Sequence, residues 1–205
     1  MKVSLLAAGM AVMLCLVATA QAEMIANAGF ETGDWTDWML RATDNGQTAV
    51  QDVVMYDIDG AGVLPESFAG HLSVARVASG SGGGMEVVQE LDLTAGTQYT
   101  FFANLSVYMA GDYYNGDGGT FEFIVGDEVL ATWASGGIAL GYKYHELSGE
   151  YTATADGTYD VGIRVTRQFA ANTDLNQYID NVSFVPEPVS LALLVLGGVA
   201  AYRRR

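Results

Sequence analysis

Tyr99-Thr100-Phe101-Phe102-Ala103-Asn104-Leu105-Ser106-Val107-Tyr108 decides the fold class of this chain. Tyr99, Phe101, Ala103, Leu105 and Val107 alternate with Thr100, Phe102, Asn104, Ser106 and Tyr108, the period of two that sends successive side chains to opposite faces of a strand. The first set is apolar throughout and suits a core. The same period returns further along: Phe121, Phe123 and Val125 alternate with Glu122 and Ile124, and Tyr159, Val161, Ile163 and Val165 with Asp160, Gly162 and Arg164. Further strands are expected at 50–56, 71–77, 85–93, 128–133, 144–152 and 177–184. Asp59-Gly60, Gly80 to Gly84, Asp117-Gly118-Gly119, Gly136-Gly137 and Asp156-Gly157 punctuate them with residues that accept the positive φ of tight turns. Many short strands and no helical periodicity between them predict an all-β, antiparallel two-sheet sandwich.

The two ends have a different character. Lys2 precedes an apolar stretch from Val3 to Ala20, and Ala20-Gln21-Ala22 has the small-x-small pattern that signal peptidase cleaves after Ala22. The single cysteine, Cys15, falls inside this leader, and Val12-Met13-Leu14 ahead of it lacks the small residue of a lipoprotein site. The mature chain then starts near Glu23 with no thiol and no disulfide, and a core of this size requires none. At the other end stand Pro186-Glu187-Pro188, an apolar run from Val189 to Tyr202, and Arg203-Arg204-Arg205. As a helix that run would rise about 21 Å, short of the roughly 30 Å of a bilayer core, and the arginines would hold its end on the cytoplasmic side. Such a segment is suited to a transient stop in the inner membrane. This tripartite tail resembles the PEP-CTERM sorting signal of exopolysaccharide-producing Gram-negative bacteria, which implies an exosortase-type processing enzyme as partner. The expected organisation is a signal peptide helix at 1–22, one domain at 23–185, and a sorting signal with a short apolar helix at 186–205.

Removing both ends leaves five basic residues, Arg41, Arg76, Lys143, Arg164 and Arg167, against all 24 acidic ones when cleavage leaves Glu187 in place, a net charge near −19. Nucleic acid and anionic lipid are therefore poor partners, since both require a basic footprint. Neutral polysaccharide, calcium or a basic surface remain.

The order of motifs narrows the sandwich. IANAGFETGDWTDW (25–38) is followed by HLSVARV (71–77), MEVVQELDLTAGTQYTFFANLSVY (85–108), FEFIVGDEVL (121–130), GTYDVGIRV (157–165) and YIDNVSF (178–184). This succession resembles the jelly rolls of the galactose-binding-like superfamily, especially carbohydrate-binding modules of the CBM4/9 and CBM22 type. The resemblance implies that the first segment and the last strand lie side by side and hold a structural calcium. The residues matching that motif are Glu31 and Asp180, with Asn27 as a contributor. Calcium takes six to eight oxygen ligands, more than one loop commonly supplies. Asp57-Ile58-Asp59-Gly60 and Asp112 to Gly118 also gather oxygen ligands near a Gly turn but lack EF-hand spacing, and read as ordinary Asx-rich turns.

Catalytic motifs are missing from the sequence. His71 and His145 stand apart with no metal or nucleophile pattern, and there is no G-x-S-x-G, no H-E-x-x-H and no cysteine nucleophile. Carboxylate pairs alone are too common in so acidic a chain to indicate a glycosidase. Aromatics are plentiful in or beside Gly-rich connections: Trp35, Trp38, Tyr108, Tyr113, Tyr114, Trp133, Tyr142 and Tyr144. Aromatic faces stack on sugar rings while amides and charged groups take the hydroxyls. The candidate ligand contacts are Asn104, Tyr108, Glu122, Trp133 and Arg164; if their strands share a sheet, Asn104, Tyr108, Glu122 and Arg164 form one surface. The expected function is a non-catalytic, exported protein of the cell surface or exopolysaccharide matrix that binds carbohydrate. The alternatives are a structural or adhesive matrix protein without a sugar site, and a small polysaccharide lyase or hydrolase.

Overall fold

The computed structural model describes residues 22–111, 116–138, 141–169 and 174–187. Its elements are β1 (Met39–Ala42), β2 (Gly46–Tyr56), β3 (Ser67–Arg76), β4 (Gly83–Leu93), β5 (Gln98–Met109), β6 (Gly116–Asp117), β7 (Thr120–Val125), β8 (Glu128–Ala134), β9 (Gly137–Ile138), β10 (Gly141–Thr152), β11 (Gly157–Arg167) and β12 (Leu175–Pro186). Among the described residues every regular element is a strand. The leader with Ala20, the tail from Pro188 to Arg205 and its flanking helix, and Tyr113 and Tyr114, lie outside the described residues.

One sheet has the order β1-β4-β11-β7-β8 and the other β10-β5-β12-β3-β2, with β6 and β9 forming a short ribbon. All pairings are antiparallel. The nine expected strands are all present; most begin a few residues earlier than expected, and β3 starts four residues before 71 and ends at Arg76, one short of the expected 77. β1, β6 and β9 are additional. They are too short, at four or two residues, to display a period.

The alternation in β5 is realised as expected: Tyr99, Phe101, Ala103, Leu105 and Val107 are all buried between the sheets. Phe101 stacks on Phe123 of the opposite sheet at 4.2 Å, and Phe184 of β12 joins them at 4.9 Å from Tyr99. Edge-offset aromatic contacts of this kind add to the area they bury. Ile124 departs from the pattern, being buried although it belongs to the outward set, at a register shift between β7 and β8.

The segment before β1 closes one end of the sandwich. Met24 donates its amide to the Phe184 carbonyl and Val182 donates to Ala28, so the first segment lies along the last strand. Phe30 and Trp38 are buried and stacked at 5.3 Å, with Trp35 edge-on to Phe30. These two tryptophans belong to the packing of the first loop. β12 runs on through Pro186, and Glu187 is still tied to the sheet: its amide donates to the Gln98 carbonyl and its carboxylate accepts from the Thr100 hydroxyl.

Candidate functional site

Asn104, Tyr108, Glu122 and Arg164 do not share a surface. β5 belongs to one sheet, while β7 and β11 belong to the other, so the two pairs sit on opposite outer faces of the sandwich. Period-two reading assigns inside and outside along each strand and is silent about which sheet a strand joins. Arg164 lies between Glu86 at 2.8 Å and Glu122 at 3.2 Å, on the floor of an open polar groove that Asp44 and Asp127 also line. No aromatic ring lines that groove, and the guanidinium is already paired on both sides. Trp133 pairs in register with the buried Phe121 and points inward, stacked between that ring at 5.2 Å and His145 at 5.0 Å. It closes the open edge where β8 meets β10 and is a packing residue.

The outer face of the β10-β5-β12-β3-β2 sheet has a different composition. In register across it stand Tyr144, Ser106, Tyr178, His71 and Asp52, one from each strand. The adjacent row begins Tyr142, Tyr108, Asn176. His71 places Nδ1 2.6 Å from Asp52 Oδ1 and Nε2 2.8 Å from Asn176 Oδ1. Its ring stacks on Tyr178 at 4.7 Å, and Tyr178 stacks on Tyr56 at 3.6 Å. Asn104 is on this face but buried, with its Oδ1 2.9 Å from the Tyr144 hydroxyl, so it positions Tyr144 and is not an open ligand contact. Tyr108 and Tyr142, 38% and 44% exposed, are the open aromatic pair.

Part of this face is covered by a connecting loop. Residues 57–66, connecting β2 to β3, fold back over it. Ile58 is buried against Ala69 and Tyr178, with Val54, Tyr56, Leu64 and Tyr144 around them. The loop is braced internally as the Asx-rich turn expected of it: Gly62 N–H donates to the Asp57 carboxylate, while Ala61 and Leu64 N–H groups donate to that of Asp59. Gly60, at φ 61°, rests on Tyr142, and a Cβ there would meet three ring carbons at 2.6–2.7 Å.

Burial sets the electrostatics. Desolvation, helped by the Glu146 hydrogen bond, pushes the Tyr144 phenol well above its ordinary value. Desolvation with the nearby Tyr56 and Asp52 does the same to Tyr178. Both stay protonated at any ordinary pH, and the Tyr144 hydroxyl donates to Asn104 Oδ1 and Glu146 Oε1.

The residues expected to hold calcium are partly reunited. Asp180 and Asn181, at the register shift of β12, and Glu31 converge on one spot: an ideal Cβ on Gly29 would stand 3.6 Å from Asp180 Oδ1, 3.7 Å from Asn181 Oδ1 and 3.7 Å from Glu31 Cγ. Asp180 is fully buried and accepts from the Ser67 hydroxyl and the Asn181 amide. Burial pushes its carboxyl up to about 6, and Glu31 adds to the rise. Asn27 is not part of this cluster. Its side-chain amide is spent inside the first loop, donating to Thr32 Oγ1 and to the Asp34 and Thr36 carbonyls. Among the described residues no group of three or more His, Cys, Asp or Glu side chains gathers as a metal site. Two carboxylates and an amide oxygen are hard donors of the kind calcium takes, with carbonyls or water completing the shell, so the residues fit that ion in kind.

Sequence reasoning set aside His71 for want of a motif, and Asp52, Tyr56, Asn176 and Tyr178 did not register. The usable signal was phase: Leu72 and Val74 are apolar, which turns His71 to the other face of β3.

No protein-family model matches this chain, and no curated protein matches it. Solved structures do. The carbohydrate-binding module TmCBM61, in complex with β-1,4-galactotriose, superposes with a TM-score of 0.51 at 17% identity, covering 81% of this chain and 99% of that one. A Stig cyclase, Fisc, from Fischerella sp. TAU, in complex with (3Z)-3-(1-methyl-2-pyrrolidinylidene)-3H-indole, superposes with a TM-score of 0.50 at 20% identity, covering 82% and 99%. At such identities the likeness shows the fold alone. This chain has a jelly-roll sandwich that is found both in a carbohydrate-binding module and in an enzyme.

Proposed function

We propose that this protein is a non-catalytic, exported jelly-roll domain that contacts neutral carbohydrate at the cell surface or in an exopolysaccharide matrix. The observation that carries the reading is the pair Tyr108 and Tyr142, in register on adjacent strands and both open to solvent, beside Asn176 and the His71–Asp52 pair. Rings supply stacking surface for a sugar, and the exposed Asp52 carboxylate, held by His71, supplies a hydrogen-bond acceptor for its hydroxyls. The galactotriose complex of a module with this fold supports the ligand class. The enzyme of the same fold keeps catalysis open as a class, but the tyrosines under the loop are held protonated, which counts against a tyrosinate-based elimination. The test is affinity electrophoresis of residues 23–187 in soluble neutral polysaccharides, including β-1,4-galactan and the producing strain's own exopolysaccharide. Retardation that Tyr108→Ala and Tyr142→Ala abolish supports the site; no retardation in any polymer removes it.

A purely structural matrix protein is the second reading, favoured by one observation: the β2–β3 loop packs on Ala69 and Tyr178 of this face, and Asn104 and Ser106 beside them are buried. Unretarded migration would select it.

Export rests on the leader ending Ala20-Gln21-Ala22, and processing on Pro186-Glu187-Pro188, the apolar run and Arg203-Arg204-Arg205, the pattern resembling PEP-CTERM substrates. Signal peptidase and an exosortase-type enzyme are the partners this implies, with the inner membrane occupied in transit. Mass spectrometry of the secreted protein tests both ends: a start at Glu23 and loss of the tail are expected, and retention of Arg203–Arg205 would overturn the sorting reading. Calcium, held by Asp180, Glu31 and neighbouring oxygens, would neutralise the buried carboxylate and join the first segment to the last strand. Identical melting in EDTA and in millimolar calcium would remove it.

A further inference from the structure

The β2–β3 loop has an effect on ligand choice that rests on the carbohydrate reading and goes beyond it. Along one face of one strand, exposure is 4% at Asn104, 0% at Ser106 and 38% at Tyr108. A boundary that sharp within a single strand marks a wall. The sheet is five strands wide, about 19 Å at the ordinary strand spacing, whereas the four residues from Tyr56 to Gly60 reach at most about 14 Å. The loop therefore comes in from the β2 edge, the Tyr142 ring comes in from the β10 edge, and they meet at Gly60 over the face. Behind this bridge the Tyr56–Tyr178 stack, Ile58, Ala69 and Asn104 are covered. In front of it Tyr108, the free part of Tyr142 and the exposed Asp52 carboxylate remain open.

The bridge is preformed. Its backbone is held by the hydrogen bond from Gly60 N–H to the Asp57 carbonyl and by three hydrogen bonds that the Ala61, Gly62 and Leu64 N–H groups donate to the Asp57 and Asp59 carboxylates, and its underside is anchored by Ile58, 1% exposed. Opening it would expose the Ile58 side chain, now packed on Ala69 and Tyr178, to water. A polysaccharide chain laid along the strands over Tyr108 thus runs into the backbone at Gly60 and cannot continue over Ser106 and Asn104.

We propose that residues 57–66 make the Tyr108–Tyr142 site a chain-end site, which takes the terminal residues of a neutral polysaccharide and excludes the interior of the chain. Gly60 and Ile58 are then the positions that set this specificity: Gly60 because only a residue without Cβ lets the backbone rest on Tyr142 at positive φ, Ile58 because it holds the loop down.

The experiment counts protein bound per chain. The protein is titrated calorimetrically with size-fractionated preparations of whichever polymer retards it, among β-1,4-galactan, xylan, mixed-linkage β-glucan and the strain's own exopolysaccharide. A chain-end site binds a constant number per chain, so a tenfold longer polymer takes up about tenfold less protein per gram. Borohydride reduction of the polymer distinguishes the ends: lost binding assigns the reducing terminus, retained binding the non-reducing one, and both accord with the proposal. Stoichiometry that grows in proportion to chain length overturns the chain-end inference while leaving carbohydrate binding intact. Failure to bind any of the four polymers overturns the carbohydrate reading and this inference with it. Gly60→Ala, which drives a methyl group into the Tyr142 ring, is expected to weaken binding at least about tenfold while the protein still melts cooperatively; unchanged affinity would place the ligand away from the wall.

Discussion

Asp180→Asn is expected to stabilise the protein in EDTA at pH 8 and to do nothing at pH 4. The Asp180 carboxyl is fully buried, and burial lifts it from the ordinary 3.8 to about 6, with the Glu31 charge adding to the rise. The folded state then holds a proton that the unfolded chain gives up between those two values. Any stability this contributes is fully present below pH 3.8, declines as pH rises through 6, and above that has become the cost of a buried, unneutralised charge. The interval corresponds to about 3 kcal/mol. Asparagine keeps the shape and removes the charge: its Oδ1 can accept from the Asn181 amide, while its Nδ2 donates to the Ser67 hydroxyl oxygen in place of the bond that the carboxylate accepted. For a domain of this size about 3 kcal/mol moves the midpoint by roughly 6–12 °C. The assay is thermal unfolding followed by circular dichroism from pH 4 to 8, wild type against variant, in EDTA and again in millimolar calcium. In EDTA the variant should draw level at pH 4 and lead by most of that margin at pH 8. In calcium the order should reverse, because the asparagine has lost a charged ligand. A difference that is flat with pH in EDTA would refute the reasoning about Asp180, and an unreversed order in calcium would refute its role as a ligand.

Tyr108→Ala and Tyr142→Ala should each weaken polysaccharide binding about tenfold or more and leave the melting midpoint within a few degrees, since both rings are largely open; affinity electrophoresis and melting on the same samples separate the two effects. Trp133→Ala should do the opposite: its indole is packed between Phe121 and His145, so a loss of about 3 kcal/mol in urea unfolding with unchanged carbohydrate affinity is expected. Phe101→Ala, which empties a buried site against Phe123, should cost about 3–5 kcal/mol by the same measurement. Arg164→Leu leaves the Glu86 and Glu122 carboxylates facing each other without a cation; a loss of roughly 1–2 kcal/mol that shrinks in high salt is expected, and a salt-independent loss would point to packing instead.

Much of the architecture was legible from local pattern. The two-residue period in 99–108, 121–125 and 159–165 states which side chains face a core, because alternation is a property of the extended backbone itself and holds whatever the strand pairs with. The Gly-rich connections between strands were legible for a similar reason, since positive φ is a local steric demand. β1, β6 and β9 escaped because two to four residues carry no period. In the candidate site, Tyr108 was recognised and remains, Asn104 was recognised and is buried, Glu122 and Arg164, which would join that surface only if their strands shared its sheet, lie on the opposite face, and Trp133, a candidate ligand contact, packs against Phe121 and His145.

That division has a physical basis. What the chain determined by itself is everything settled within about ten residues: strand phase, turn positions, an acidic surface unsuited to polyanions, and terminal segments unlike the domain between them. Only the tertiary structure decided which strands are neighbours. Sheet order depends on the summed burial of both faces, to which contacts far apart in sequence contribute, so β5 and β11 have equally regular periods yet lie in opposite sheets. It likewise decided that a ten-residue connection would fold back over one face. Ile58 and Leu64 stand in a loop with no strand or helix period, and Ile58 finds its partners only once Ala69, Tyr178 and Tyr144 have been brought side by side from three strands.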